Sequence, residues 1–138
     1  MVLTIESPGT VCAIDSEGSL VTVRGRVRAA AVELGFGIVD QTKLVTAASE
    51  LARNVFRYAG SGRMIIEELD GGNRRGVRVT FADDGPGIPD VELALRDGYS
   101  TGDSLGIGLP GAKRLVDELT IDSRPGEGTT VVITAWAS

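Results

Sequence analysis

The sequence predicts an α/β two-layer sandwich, a mixed β-sheet with helices packed on one face. Three observations lead there. The 138 residues provide for one hydrophobic core and leave no room for a second. β-type and helical segments both recur along the chain. They follow the order strand–helix–helix–strand–strand–helix–helix–strand–strand, so helices and strands do not alternate one for one. A doubly wound parallel sheet needs that alternation, whereas paired helices between paired strands fit a sheet covered on one side. A single domain over residues 1–138 is expected.

Short β-type segments come first, near Leu3–Ile5 and Val11–Ile14, with a Ser-Pro-Gly break between them. From Leu20 to Leu34 the apolar spacing turns to three and four, through Val23, Val27, Ala30, Ala31 and Leu34. Gly35-Phe36-Gly37 ends that helix. A second helix is expected from about Val39 to Tyr58, with Leu44, Ala48, Leu51 and Val55 as its stripe and Gly60 just past its end. Met64–Leu69 and Val77–Ala82 flank a Gly-Gly-Asn-Arg-Arg-Gly turn and read as a hairpin. A short helix near Asp90–Asp97 and a Gly/Ser/Thr loop over Gly98–Gly108 follow. A third long helix is expected over Leu109–Leu119, since Ala112, Leu115, Val116 and Leu119 share one face. Strands near Leu119–Ser123 and Thr129–Trp136 close the chain around Pro125-Gly126-Glu127-Gly128.

Composition removes several function classes. Aromatic residues are only 4% of the chain, so the core must come from Val, Ile, Leu and Ala. A net charge of −5 argues against nucleic acid and against anionic membrane surfaces as partners. Histidine is absent, which excludes Ser-His-Asp and Cys-His catalysis and a phosphohistidine acceptor. Any general base is then a carboxylate, a lysine or a tyrosine. Cys12 stands alone, so no internal disulfide forms, and it reads as a small buried apolar residue. The first residues lack the basic and apolar regions of a signal peptide. No apolar run approaches the ~20 residues of a membrane span. A cytoplasmic protein is expected.

Three stretches carry polar groups in patterns that suit chemistry. Gly106-Ile107-Gly108-Leu109-Pro110-Gly111 satisfies G-x-G-x-x-G, but no strand precedes it as a dinucleotide site requires. It also misses the P-loop pattern, because Lys113 comes one residue late and Arg114 stands where Ser or Thr belongs. Glycines running into a helix start still offer free N–H groups and a positive dipole end to a polyphosphate. On the expected helix Lys113 and Arg114 fall in the first turn, where cations are unfavourable unless an anion is bound. A surface loop before a solvated helix is the plainer reading. Glu50 and Asn54 lie four apart on the second helix, at the edge of its apolar stripe. An acid and an amide facing one way suit a general base and a magnesium ligand; two solvated polar residues are the alternative. Asp83-Asp84-Gly85-Pro86-Gly87 follows a strand directly. It reads as a turn, or as a carboxylate placed to accept a hydrogen bond from an exocyclic amine such as that of adenine.

Glu50-x-x-x-Asn54, Asp83-x-Gly85-x-Gly87, Gly106-x-Gly108 and Gly128-Thr129 occur in that order before a last strand. This arrangement resembles the GHKL (Bergerat-fold) ATP-binding family over about Val11 to Trp136. Glu50-Leu51-Ala52-Arg53-Asn54, Asp84 to Asp90, Gly98-Tyr99-Ser100-Thr101 and Leu105 to Arg114 are similar to the RsbT-type switch serine/threonine kinases of the stressosome. Those kinases are related to the anti-sigma-factor kinases RsbW and SpoIIAB.

The resemblance implies an ATP-binding protein kinase with magnesium. Glu50 would be the base, Asn54 the metal ligand and Asp83 the acceptor for the adenine amine. Gly87 would lie beside the adenine, Gly85 would be a further ATP-binding residue, Thr129 would support the adenine directly or through water, and Gly106 and Gly108 would contact phosphates from a lid over residues 98–108. Anti-sigma members often carry a basic residue in a longer lid. Here Asp103 and Ser104 stand in it, which leaves Lys113 or Arg114 as the candidate cation for the γ-phosphate. The resemblance further implies a STAS-domain antagonist or scaffold protein as substrate, and a protein phosphatase or sigma factor as second partner. The alternative it leaves is an anti-sigma factor or other non-catalytic, nucleotide-dependent binding module.

Overall fold

A computed structural model describes residues 4–5, 10–87 and 108–137. Strands β1 (Thr4–Ile5) and β2 (Thr10–Ile14) come first, followed by helices α1 (Glu17–Glu33) and α2 (Ile38–Ala59). The hairpin β3 (Gly62–Asp70) and β4 (Arg75–Asp83) is next, then α3 (Gly108–Arg114), β5 (Glu118–Arg124) and β6 (Gly128–Trp136). The expected short helix near Asp90–Asp97 lies outside the described residues, as does the loop up to Ile107.

Local chemistry sets the element ends. α1 starts three residues before its apolar periodicity does. There the Asp15 N–H donates to Ser19 Oγ at 3.2 Å, while Ser19 Oγ donates to Asp15 Oδ1 at 3.1 Å. These reciprocal bonds tie down the opening turn, as a capping pair does. α1 buries Val23, Val27 and Ala31, and the Phe36 N–H closes its far end on the Ala31 carbonyl at 2.9 Å. α2 buries Leu44, Ala48, Leu51 and Val55 as its stripe predicts, together with Val45, Ala47 and Ala52. It stops at Gly60, whose φ of +83° only glycine adopts readily. In the hairpin, Asp70 Oδ1 accepts the Gly72 N–H and the Arg74 carbonyl accepts the Gly71 N–H, both at 2.9 Å.

The sheet has six strands, ordered β1-β3-β4-β6-β5, with β2 also paired to β3. One side carries the core: Met64, Ile66, Val77, Val79, Phe81, Val131 and Ile133 pack with α1 and α2. The two-layer sandwich is therefore as expected, but the sheet is not mixed at any described pairing. All five ladders are antiparallel. Two helices between β2 and β3 bring the chain back reversed. β4 and β5 do run the same way, but β6 inserts between them and pairs with both.

The third helix also differs. It ends at Arg114 rather than Leu119, and β5 begins at Glu118. Leu119 and Ile121 pair with Ile133 and Val131, so strand alternation takes over residues whose spacing also fitted a helix. Asp117 lies between the two elements; its N–H donates to the Thr134 carbonyl at 3.0 Å and its Oδ2 accepts the Trp136 N–H at 2.7 Å. Among the described residues no helix is long and apolar enough to cross a membrane.

Candidate functional site

The site forms where the sheet's helix-covered face ends. Along that face the row Met64–Phe81–Val131–Ile121 is apolar. Two residues further on, the same face carries Gly62–Asp83–Thr129–Ser123 in cross-strand register. Because side chains on one face repeat every second residue, Asp83 and Thr129 point to the same side as Phe81 and Val131. The sheet thus passes from core to polar groups in one step. Thr129 Oγ1 and Ser123 Oγ lie 2.8 Å apart, and Ser123 Oγ also donates to the Gly128 carbonyl at 3.2 Å.

Asp83 is half-buried and turns the chain: its Oδ1 accepts the Gly85 N–H at 2.9 Å. Pro86 continues the contact, its carbonyl accepting the Gly126 N–H at 2.8 Å from the β5–β6 turn. Three glycines make this packing possible. A Cβ on Gly85 would lie 2.6 Å from the Ala59 Cβ at the end of α2. One on Gly87 (φ +80°) would run into the Arg124 carbonyl, and one on Gly128 (φ +88°) into the Asp83 carbonyl. The Asp83–Gly87 turn is therefore pinned between α2 and the β5–β6 turn.

α2, whose end meets this turn at Ala59, carries the next two predicted residues. Glu50 is only 6% exposed, which is rare for a carboxylate without a partner. Its partner is one turn on: Arg53 Nη1 donates to Glu50 Oε1 at 2.5 Å. Asn54 is half-buried on the following turn. Ser49 is buried too, and its Oγ accepts from Arg24 Nη1 of α1 at 3.1 Å. Glu50 is therefore not a solvated residue, while Asn54 keeps part of its surface exposed.

α3 packs against α2 through the fully buried Ala112. Gly108 opens it with a φ of +67°. Lys113 and Arg114 occupy its last turn and are exposed. One expectation is corrected here. The cations sit at the favourable, negative end of the helix rather than the unfavourable one. Gly106 lies outside the described residues.

The structure thus brings Asp83, Gly85, Gly87 and Thr129 together, with α2 above them carrying Glu50 and Asn54. Sequence reasoning missed Arg53, Ser123 and Gly62. Arg53 falls within the Glu50–Asn54 motif, and its three-residue spacing from Glu50 was the available signal.

Residues 39–137 match the family model described as histidine kinase-, DNA gyrase B-, and HSP90-like ATPase. The chain is 46% identical over 123 residues to the serine/threonine-protein kinase RsbT of Bacillus subtilis, covering 89% of this chain and 92% of that one. It is 30% identical over 116 residues to an anti-sigma F factor of a Thermoanaerobacter species, covering 80% of each. Among solved structures, the RsbU and RsbW domains of a Mycobacterium tuberculosis protein superpose with a TM-score of 0.66 at 22% identity. That match covers 94% of this chain and 32% of the other. A mycobacterial sensor histidine kinase, MprB, superposes with a TM-score of 0.57 at 20% identity, covering 93% of this chain and 97% of the other. These two likenesses concern the fold.

Proposed function

The chain belongs to the histidine kinase-, DNA gyrase B- and HSP90-like ATPase family and, within it, to the RsbT-type serine/threonine kinases; from that premise we propose that it phosphorylates a STAS-domain antagonist protein. ATP is its phosphoryl donor, and the pathway is one of partner switching. Magnesium, the STAS-domain substrate and a cytoplasmic setting are parts of the proposal, as is a protein phosphatase that the released kinase binds and activates. The burial of Glu50 four residues before Asn54, on the helix whose end packs against the Asp83–Gly87 turn at Ala59, is the observation that carries the reading.

Each residue has a task that its position suits. Asp83 accepts the adenine amino hydrogen, with Gly85 and Gly87 letting its turn pack closely against α2 and the β5–β6 turn and Thr129 in register beside it. The Asn54 amide offers a hard oxygen ligand, which suits magnesium held otherwise by phosphates and water. When bound, magnesium supplies charge neutralisation to the triphosphate. Glu50 takes the proton of the attacking hydroxyl. Gly108 lies at the start of α3 for the phosphates, with Gly106 as a further candidate.

The test is transfer of label from γ-labelled ATP, with magnesium, to purified STAS-domain proteins encoded beside the gene. Phosphoserine or phosphothreonine on one of them, lost together with nucleotide binding in Asn54→Ala, is the expected result. Nucleotide-dependent binding of a sigma factor without transfer would favour the anti-sigma reading, which the 30% identity to anti-sigma F factors keeps in view.

A further inference from the structure

We propose that Arg53 is the cation for the γ-phosphate and that it is held on Glu50 until ATP arrives, so that the nucleotide itself frees the base. The inference rests on Glu50 being that base, and goes beyond it in saying what controls it.

Three observations carry it. Arg53 Nη1 lies 2.5 Å from Glu50 Oε1, so one oxygen of the proposed base is already engaged by a full positive charge. The two ends of this pair are unequal: the Glu50 side chain is 8% exposed and that of Arg53 35%. Glu50 is held in place, while the guanidinium has open space into which to move. Lastly, the cations first suited to the phosphate, Lys113 and Arg114, sit exposed in the last turn of α3.

Proximity then becomes a requirement. A hydroxyl that gives its proton to Glu50 must come within about 3 Å of a carboxylate oxygen. The phosphorus it attacks is one new bond away. A guanidinium bonded to that same carboxylate is therefore within a short swing of the transferring group. Its planar fork suits phosphate oxygens as well as it suits a carboxylate. In the reaction the hydroxyl oxygen bonds to the γ-phosphorus as the bridging P–O bond to the β-phosphate breaks. ADP departs with that electron pair, and the hydroxyl proton passes to Glu50. Arg53 on the γ-phosphate serves both halves of this step. It spreads the charge of the group in flight, and its departure from Glu50 leaves the carboxylate open to the proton. Without ATP that oxygen of the base stays engaged.

The two roles predict a coupling that a purely structural ion pair lacks. Affinities for Mg-ATP and Mg-ADP are measured by calorimetry for the wild type, Arg53→Ala, Arg53→Lys, Glu50→Gln and the double variant Glu50→Gln/Arg53→Ala. Arg53→Ala lowers ATP affinity by about 10- to 100-fold with little change for ADP, since a charged bond to the γ-phosphate is lost. Arg53→Lys restores part of that preference. Glu50→Gln raises ATP affinity by about two- to tenfold, because Arg53 no longer leaves a carboxylate to reach the phosphate. The gain vanishes in the double variant. A Glu50→Gln protein with unchanged ATP preference, or one whose gain survives removal of Arg53, overturns the proposal. Loss of ATP preference in Lys113→Ala instead of Arg53→Ala also overturns it. The base reading fails separately: Glu50→Gln would then transfer phosphate at the normal rate, whatever the affinities.

Discussion

α2 and α3 make an instructive pair, because both were read as amphipathic helices bearing charged residues at functional spacing. α2 runs its full 22 residues with one long side in the core. Its polar residues of interest are thereby held where burial restricts them: Glu50 at 6% exposure, Asn54 half-buried. α3 is only seven residues long, and its cations lie at a helix end facing solvent. Spacing says where a side chain points only for as long as the helix continues. Burial then separates a polar group held for chemistry from one that is merely solvated. By that measure α2, and not α3, holds its polar groups in place.

The largest expected effect is at Glu50. Glu50→Ala should retain ATP binding and lower phosphoryl transfer by about 10²- to 10⁴-fold, as loss of a general base does. Single-turnover transfer beside a nucleotide titration measures both. Normal transfer would return Glu50 to the status of a buried helix residue with an ion-pair partner, and α2 would lose its distinction from α3.

Asp83 extends the comparison to the sheet. Asp83→Ala should weaken ATP binding by roughly 5- to 100-fold, since the adenine amine would be buried without an acceptor. The variant also loses the bond to the Gly85 N–H at 2.9 Å. A matching fall in affinity for GTP, which lacks that amine, would mean that the turn had collapsed rather than that a contact had been lost. Retained ATP affinity would remove Asp83 from the site.

Gly128 tests whether the site end is pinned as tightly as its contacts indicate. Its φ of +88° and the Asp83 carbonyl against its Cα leave no room for a methyl group. Gly128→Ala should cost about 1–3 kcal/mol in stability, read from urea unfolding. Gly72→Ala, equally left-handed at +94° but in open space, should cost less. Equal losses would show that backbone strain alone is being measured and that the close approach contributes nothing.

Much of this was legible in the residues. The hairpin β3–β4 was marked by alternation around a glycine turn, and α2 by its stripe and the glycine beyond it. Asp83 and Thr129 stood in the right order, although only register reveals that they are opposite one another. The sequence could not separate a helix from a strand at Leu115–Leu119, where few residues satisfied both periods. Pairing of Leu119 with Ile133 decided it. Nor could it show that β6 inserts between β4 and β5, since strand order is a property of long-range pairing. The Ser123–Thr129 contact follows from the same register. Nothing in the sequence singles out Arg53 within its motif, because an arginine on an amphipathic helix is ordinarily a solvated residue.

The smallest expected effect belongs to Lys113, and it bears most directly on the contrast between the helices. Lys113 sits in the last turn of α3, where its charge favours the helix end, and its side chain is exposed. Removing it costs only that end-of-helix interaction, a few tenths of a kcal/mol at low salt. Lys113→Ala should therefore unfold within about 0.5 kcal/mol of the wild type. If the γ-phosphate is neutralised from α2, ATP affinity should also change by less than about threefold, a difference under 1 kcal/mol. A partner-facing role would appear elsewhere, as weaker and less salt-sensitive association with the STAS-domain protein at unchanged ATP affinity. A tenfold loss of ATP binding would mean that α3 reaches the phosphates after all. The division of labour between the two helices would then have to be redrawn around Lys113.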